Sequence, residues 1–449
     1  MSKGSVEEFT VAGGGPDDPD DPGGPYRTAG ADQPRPRNRR PWRGPLPWVG
    51  CAVVILLGGM ALAGPLRSPV GPWGQIADVT SPPEQAWSLE TTEDVRSASM
   101  VGGVVVTTGE QTVRGLDPAS GEELWLVSGF GGQCTSDTST LLCTDGDGGA
   151  VRIDPATGTS TDLGITDALA VAESDGDLFA ITRDEQRPFT GGHLQRISEG
   201  EVVWSTPVVL GQDSSAYREP MAVIAGHVLT PLVTDSAELG GAGAVFDGQT
   251  GEQLSAEPIH VVQLGPGVWA SLEVDASTLY VRGEEEPLPD GAGQRLQYDD
   301  EWHSDDLIVT SDEGVLSVQD RQTGERRWVS ERPAFPIARI DGVLLHLVST
   351  GDSATLQGLR ISSGEVLWQK EDTWMMCPCV GDRSTLAGQI RELAPGGGFA
   401  GEGPVVGVDV ESGEQLWQVE APSPMMQIVT DGEHLVLVAP GQLAGFRLG

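Results

Sequence analysis

Asparagine is nearly missing from this chain of 449 residues, where Asn38 is the only copy. Lysine occurs only as Lys3 and Lys370, beside 25 arginines. The sequence contains no G-x-S-x-G elbow, no P-loop and no H-E-x-x-H pair. Its six histidines are scattered, with no two at a metal-ligand spacing. These absences remove the usual sequence signatures of serine hydrolases, nucleotide-binding enzymes and zinc enzymes.

Positive charge is scarce in most of the chain. Residues 1–67 carry a net charge of +1, whereas residues 68–449 carry −40. An acidic surface of this kind repels nucleic acid and anionic lipid headgroups, so we expect no nucleic-acid partner. A solvated surface explains the charge, and attraction for cations or basic partners is the alternative.

The repeated unit of the chain is Asp409-Val410-Glu411-Ser412-Gly413-Glu414-Gln415-Leu416-Trp417. Close copies run from Asp117 to Trp125 and from Asp320 to Trp328, and looser ones end at Trp204 and Trp368. The Asp accepts backbone N–H groups, and the Gly supplies a positive φ, so each copy predicts a tight turn between two strands. We interpret the tryptophans as packing residues between repeats, with ligand stacking as the alternative. The predicted packing residues are Trp87, Trp125, Trp204, Trp328, Trp368 and Trp417.

The turn glycines recur every 31 to 51 residues, which is typical of radial β repeats. A degenerate copy is predicted at Gly293. The chain ends after three strands of a unit, and Gln85-Ala86-Trp87-Ser88-Leu89 supplies a fourth strand with no turn motif before it. We therefore predict that the first strand pairs with the last three and closes a ring, which removes the exposed sheet edges.

The D-x-x-[ST]-G-E-x-x-W unit resembles the repeat of pyrroloquinoline-quinone-like (quinoprotein-type) β-propellers, over residues 84–449. The resemblance implies an all-β, eight-bladed propeller. The family includes quinone-dependent dehydrogenases and non-enzymatic scaffolds of membrane-protein assembly. Its enzymes are expected to cover the cofactor with an adjacent-cysteine disulfide and to hold Ca²⁺ with Glu, Asn and Asp. This chain has no adjacent cysteines, and its one asparagine precedes the repeats, so we expect no catalytic residue, no cofactor site, no metal site and no enzyme.

The sequence before the propeller predicts a membrane anchor. We expect a disordered cytoplasmic tail at 1–43, one transmembrane helix at 44–66, a Pro-rich stalk at 67–84 and the propeller at 85–449. Five arginines precede the apolar segment and one follows it, which predicts a cytoplasmic N-terminus and an extracytoplasmic propeller. A signal peptide cleaved after Ala61-Leu62-Ala63 is the alternative.

Four cysteines lie beyond the apolar segment and allow three pairings. Cys134 and Cys143 flank a segment that can form a hairpin, so we predict that they are bridged. Cys377 and Cys379 would then pair within Cys377-Pro378-Cys379, with cross-pairing of the two sites as the rival. A metal site is disfavoured because neither pair has a nearby histidine.

The resulting functional hypothesis is a single-pass membrane protein whose propeller is a binding or assembly scaffold in a bacterial cell envelope. Its partner would be another envelope protein, or a small ligand in the central channel. The alternatives are a quinone- or metal-dependent oxidoreductase and an extracytoplasmic sensor. The irregular insertions at 211–219, 235–243 and 393–403 are candidate recognition loops.

Overall fold

The computed structural model describes the chain from Val70 onward, in segments. These are residues 70–71, 73–91, 95–130, 133–137, 139–187, 190–210, 220–233, 243–254, 260–265, 268–272, 277–281, 284–288, 296–299, 307–312, 314–349, 353–394, 403–422, 425 and 427–449. The chain divides into two units, 1–64 and 65–449, and the first lies outside these segments. The domain boundaries at 1–43, 44–66, 67–84 and 85–449 stay predictions.

All regular structure in the described residues is β-strand, which confirms the all-β class. No helix among these residues reaches the length and apolar character that a membrane crossing needs, and the segment 44–66 falls outside them. The first strand is β1, Glu84–Glu90. Three four-stranded antiparallel meanders follow it, β2–β5, β6–β9 and β10–β13. Their bounds are β2 Ser97–Val101, β3 Val104–Thr108, β4 Thr112–Leu116, β5 Glu123–Ser128, β6 Cys134–Ser136, β7 Leu141–Thr144, β8 Ala150–Ile153, β9 Ser160–Asp162, β10 Ala168–Ser174, β11 Asp177–Arg183, β12 Gly191–Ser198 and β13 Glu201–Val209.

The middle of the chain is less regular. A three-stranded sheet, β14–β16, precedes a four-stranded one, β17–β20. The bounds are β14 Ala222–Ile224, β15 His227–Thr230, β16 Ala244–Asp247, β17 His260–Gly265, β18 Val268–Leu272, β19 Ser277–Val281 and β20 Glu284–Leu288. The fourth strand of the latter sheet ends before Gly293, and the degenerate turn predicted at Gly293 lies outside the described residues. Acidic and proline residues in β20 replace the usual Trp-bearing strand and hid the repeat from sequence reasoning.

A seven-stranded sheet holds two successive strand groups that share one long strand. Its strands are β22 Leu307–Asp312, β23 Val315–Asp320, β24 Arg326–Ile340, β25 Val343–Ser349, β26 Ala354–Arg360 and β27 Val366–Glu371, with the short β21 Tyr298–Asp299 parallel to β24. The first part of β24 pairs with β23 and its second part with β25. Continuous hydrogen bonding thus gives eight sheets in the described residues, and dividing β24 gives nine strand groups. The count of eight blades stays a prediction.

The last two sheets close the repeat. One is β28 Thr373–Gly381, β29 Thr385–Glu392, β30 Val405–Asp409 and β31 Gln415–Val419. The other has the order β1-β34-β33-β32, where β32 is Gln427–Thr430, β33 His434–Ala439 and β34 Gln442–Arg447. Within it Trp87 faces Gly445. The prediction that the first strand completes the last sheet is confirmed.

Strands are buried on both faces because each sheet packs between two others. In β3, Val105 packs with Val436 and Leu443 of the closing sheet. Its neighbours Val104 and Val106 face the opposite way and pack with the sheet of β6–β9. The β-branched run Val104–Thr108 is consequently buried at every position, a pattern that suits a strand covered on both sides.

The predicted stalk packs onto the propeller along its described part. Val70, Ile76 and Val79 are buried against the last two sheets. Trp73 is completely buried in another cluster with Tyr298 and Met375. The described residues from Val70 to Glu84 are therefore not an extended spacer, because their apolar side chains pack into the core of the propeller.

Deleting Glu84–Glu90 should abolish cooperative folding of the propeller, because β34 would lose its partner and the ring its closure. Circular dichroism during heating of the full chain measures this. Deleting residues 2–34 is the control and should leave the transition unchanged. An unaltered melting temperature in the first deletion would contradict ring closure by β1.

Candidate functional site

The repeat turns are held by their aspartate carboxylates. Asp409 Oδ1 accepts the Ser412 backbone N–H at 2.8 Å and the Ser412 hydroxyl at 2.6 Å. The Gly413 N–H donates back to the Asp409 carbonyl at 2.8 Å, with φ at +71°. The same pattern recurs at Asp117 and Asp320. The sequence motif is thus a hydrogen-bonded turn in which the carboxylate replaces a backbone acceptor.

Hydrogen bonding lowers the pKa values of three turn carboxylates, those of Asp117, Asp247 and Asp320. The pKa of Asp320 falls to about 2, chiefly because it accepts the Thr323 backbone N–H, with a further contribution from the Arg327 guanidinium. The Ser120 hydroxyl lowers the pKa of Asp117, and the Thr250 backbone N–H lowers that of Asp247. Each bond stabilises the ionised form, so these turns are strongest when the carboxylates are charged.

The six predicted tryptophans share one geometry. Five lie on the outer strand of a four-stranded group and Trp328 lies on the first part of β24. Each donates its indole N–H to a carbonyl of the next repeat. The pairs are Trp87 to Pro118 (2.9 Å), Trp125 to Pro155 (2.8 Å), Trp204 to Gly248 (3.3 Å), Trp328 to Ile361 (2.6 Å), Trp368 to Val410 (2.8 Å) and Trp417 to Val79 (2.7 Å). The structure therefore places all six between repeats, where a buried indole satisfies both its apolar ring and its N–H.

Glycines make room for these rings. A methyl group on Gly158 would overlap the indole of Trp125, and so would one on Gly115 of the neighbouring strand. Gly413 and Gly358 stand in the same relation to Trp368. The turn glycine thus has two duties: it adopts the positive φ, and it leaves its surface free for the tryptophan of the preceding repeat.

One acceptor carbonyl of the repeat was missed by sequence reasoning. Val79 accepts the indole N–H of Trp417, the role that Val410 has for Trp368. Asp78, just before it, accepts both the backbone N–H and the hydroxyl of Thr80. The segment thus supplies the acceptor carbonyl of a repeat turn although, as predicted, it lacks the turn motif itself. Pro82-Pro83 stands where the other copies have Gly-Glu, and Trp87 follows Asp78 by nine positions instead of the eight between Asp409 and Trp417, so the sequence does not reveal this acceptor.

The first strands of the groups form the inner circle, since β28 contacts β24 and β32, and β2 contacts β32. Two segments cover this circle at β24 and β28. Tyr298–Asp299 pairs parallel to β24, and Gln75 bridges Gly381 at the end of β28. The Gln75 amide also donates to the Asp299 carbonyl at 2.9 Å. The chain's own residues therefore occupy this part of the inner surface.

A buried ion pair fixes one of the covering segments. The Arg339 guanidinium makes two 2.8 Å bonds to the Asp299 carboxylate and a 2.7 Å bond to the Leu307 carbonyl. Both charged side chains are almost completely buried. Bidentate geometry and the third acceptor compensate for the desolvation of the guanidinium. No local pattern in the sequence marks this pair, whose members are 40 residues apart.

Both predicted disulfides are present. Cys134 and Cys143 face each other across β6 and β7, with their Cα atoms 4.1 Å apart. Cys377 is bridged to Cys379 within β28, where pairing with β29 is interrupted between Met376 and Val380. In the described segments no three His, Cys, Asp or Glu side chains converge as a metal site requires.

Exposed apolar side chains concentrate on the outer strands. Leu124 and Leu126 flank Trp125 on β5 and are 47% and 45% exposed. Val202 and Val203 are exposed on β13, and Leu416 on β31. β5 and β13 end their sheets, so each pairs on one side only. The predicted recognition loops at 211–219, 235–243 and 393–403 lie mostly outside the described residues.

The repeat geometry agrees with a known family. The family profile PQQ_2, described as outer membrane protein assembly factor BamB, matches residues 109–260 and 244–427. The chain belongs to this family of PQQ-like β-propellers. None of the curated proteins matches the chain.

Solved structures similar to this PQQ-like propeller include a BamB protein and two dehydrogenases. BamB from Moraxella catarrhalis is 15% identical, with a TM-score of 0.45, over 81% of this chain and 99% of that one. A europium-containing methanol dehydrogenase is 11% identical, with a TM-score of 0.40, over 82% and 93%. The quinohemoprotein alcohol dehydrogenase from Comamonas testosteroni is 11% identical, with a TM-score of 0.41, over 82% and 76%.

Substituting turn glycines should separate backbone strain from tryptophan packing. Gly324→Ala should lower the free energy of unfolding by about 1–2 kcal/mol, because the φ of +67° at this position is left-handed. Nothing lies within 4 Å of the new methyl group, so backbone strain is the whole effect. Gly413→Ala adds overlap with Trp368 to the same strain and should cost at least ~1 kcal/mol more. Urea unfolding of both variants measures the difference. Equal losses would show that the indole does not press on its turn.

Acid should weaken the turns. A carboxylate with a lowered folded-state pKa stabilises the fold above its unfolded pKa of about 4, and this contribution is lost as the pH falls toward the folded value. For Asp320 the window runs from about 4 down to about 2. In Asp320→Asn the melting temperature should therefore fall less steeply across this window than in the parent protein. Parallel curves down to pH 2 would contradict the assignment.

Proposed function

We propose that this PQQ-like propeller is a protein-binding scaffold of the bacterial cell envelope, held by the segment 44–66 with the propeller on the extracytoplasmic side. We further propose that it has no catalytic activity of its own. The scaffold is proposed as an eight-bladed ring, a count supported by the eight sheets of continuous hydrogen bonding. The observation that carries the proposal is the apolar outer edge of β5.

The edge of β5 is suited to receive another strand. Of the six strands that carry a repeat tryptophan, only β5 has a large exposed apolar residue on both sides of it, Leu124 and Leu126. Natural proteins usually protect an edge strand with charges, bulges or proline. β5 has an exposed Glu123 and a bulge at its start, but the part that follows offers backbone hydrogen bonds for affinity and alternate side-chain positions for specificity.

The negative charge around β5 indicates which kind of partner segment would bind there. Glu122 and Glu123 directly precede the two leucines, and the region 68–449 carries −40 overall. We propose an extended segment of another envelope protein, in which apolar residues alternate with basic ones. Attraction between opposite charges would speed the encounter and select the partner.

The inner surface favours this reading over a small ligand. Trp73 and Tyr298 are completely buried beside β24 and β28. A ligand at this part of the inner circle would have to displace them. The outer edge needs no such rearrangement.

The sequence supports the absence of quinone chemistry. The Ca²⁺ set that the family's enzymes are expected to use includes an asparagine, and the single Asn38 precedes the repeats. Offering the quinone with Ca²⁺ to the full chain should give no stoichiometric uptake in absorbance or metal content. Saturable binding of one equivalent would overturn the non-enzymatic part of the proposal.

Photocrosslinking in the native envelope tests the scaffold. A benzophenone amino acid at Leu124 should capture one partner reproducibly, and Leu126→Lys should lower the yield about tenfold, because it places a charge where a basic partner packs. Thr161→Lys, on the exposed outer strand of the next sheet, is the matched control and should leave the yield unchanged. Equal yields from both lysine variants would exclude β5 as the docking edge.

A further inference from the structure

The two disulfides of the propeller differ in what they join. Cys134–Cys143 connects facing residues of adjacent strands and is buried in an apolar cluster. Cys377–Cys379 connects residues of one strand with a single residue between them. A bridge stabilises mainly by restricting the unfolded chain, and more so for longer loops. Stabilisation therefore accounts for the first bridge much better than for the second.

A third sulfur-bearing side chain, that of Met375, lies near the Cys377–Cys379 bridge. A methyl group on Gly388 of β29 would lie 2.9 Å from Cys379 Sγ and 3.0 Å from Met375 Cε. These two atoms are consequently less than about 6 Å apart. Because Gly388 has no side chain, the sulfur-bearing groups share one small space in the core.

We propose that the reduced form of this cluster binds one Cu(I) ion through the Cys377 and Cys379 thiolates and the Met375 thioether. Thiolate and thioether sulfur are the soft ligands that select Cu(I). Two thiolates and one thioether complete a three-sulfur site without histidine.

The redox state of the Cys377–Cys379 pair determines whether this site can bind the ion. A dithiol reductant supplies two electrons and two protons, the Cys377–Cys379 bond breaks into two thiols, and the reductant becomes a disulfide. Cu(I) then displaces one proton from each thiol as the sulfurs bind it. An external disulfide then takes up two electrons and, with two protons from water, becomes a dithiol, while the Cys377–Cys379 bond re-forms, both thiolate ligands are lost and Cu(I) is released.

The surroundings admit the ion from one side. Cys377 is partly exposed, whereas Cys379 and Met375 are buried among apolar residues of the same cluster. The ion would meet Cys377 first and then pass to the two deeper sulfurs. Apolar side chains surround the site, and the Met376 carbonyl oxygen lies 3.9 Å from Cys379 Sγ. The site therefore presents mainly soft sulfur rather than the oxygen-rich shell that harder cations prefer. Sequence reasoning set a metal site aside because it looked for histidine, and methionine sulfur supplies the missing third ligand here.

Cu(I) titration of the full chain against a chromogenic Cu(I) chelator tests the proposal. After anaerobic reduction with a dithiol and its removal, one Cu(I) per chain should be bound, and the unreduced protein should bind none. X-ray absorption should show a first shell of sulfur only. Binding without reduction, or a nitrogen or oxygen shell, would overturn the proposal.

Two methionine variants identify the third ligand. Met375→Leu conserves volume and should weaken Cu(I) binding at least tenfold, which is the lower limit seen when even an outer-shell partner of a metal ligand is lost. Met376→Leu is the matched control, because adjacent side chains of a strand point to opposite faces. Equal affinities in the two variants would refute the site, and would also expose binding by the reduced Cys134 and Cys143. None of these readouts depends on the partner proposed for β5.

Discussion

The hydrogen bond from an outer-strand indole to the turn of the next strand group is the contact on which this propeller depends. It joins two structures that are each marginal alone: a short sheet and a six-residue turn. The indole covers the turn glycine in five of the six cases and, in four of the six, also lies over a glycine in the middle of its own sheet. Each repeat thereby fixes the angle of its neighbour, and an error in one turn is transmitted to the sheet before it.

Ring closure uses the same contact from the other direction. Trp417 donates to Val79, and Trp87 of the following strand donates to Pro118. Residues 76–87 thus supply the carbonyl that accepts the Trp417 indole and the outer strand of the closing sheet, although they precede the rest of the domain in the chain. Val79 is also held by Asp382, whose carboxylate accepts its N–H at 2.8 Å. The closing joint is reinforced where the chain cannot rely on a continuous backbone.

The parts that sequence could predict are those encoded locally. The turn at Asp409, the strand at Trp87 and the hairpin around Cys134 each follow from residues within ten positions of one another. The buried pair of Arg339 and Asp299 could not be predicted, because burial alone makes it specific and nothing local marks it. Trp73 was misjudged for a related reason: the prolines around it suggested a spacer, and only the assembled inner surface gives the indole a place to pack.

Alternation along the outer strands connects architecture to binding. When the tryptophan points toward the next repeat, its two neighbours must point the other way. Most repeats place at least one polar or small residue there, as at Gln418 and Ser88, so their edges remain solvated. At Trp125 both neighbours are leucine, so β5, whose indole joins two repeats, also presents an apolar edge. Sites in a propeller built from one unit should therefore be sought where a copy departs from the repeat without losing its tryptophan, because at such positions packing has been kept and solvation has been given up.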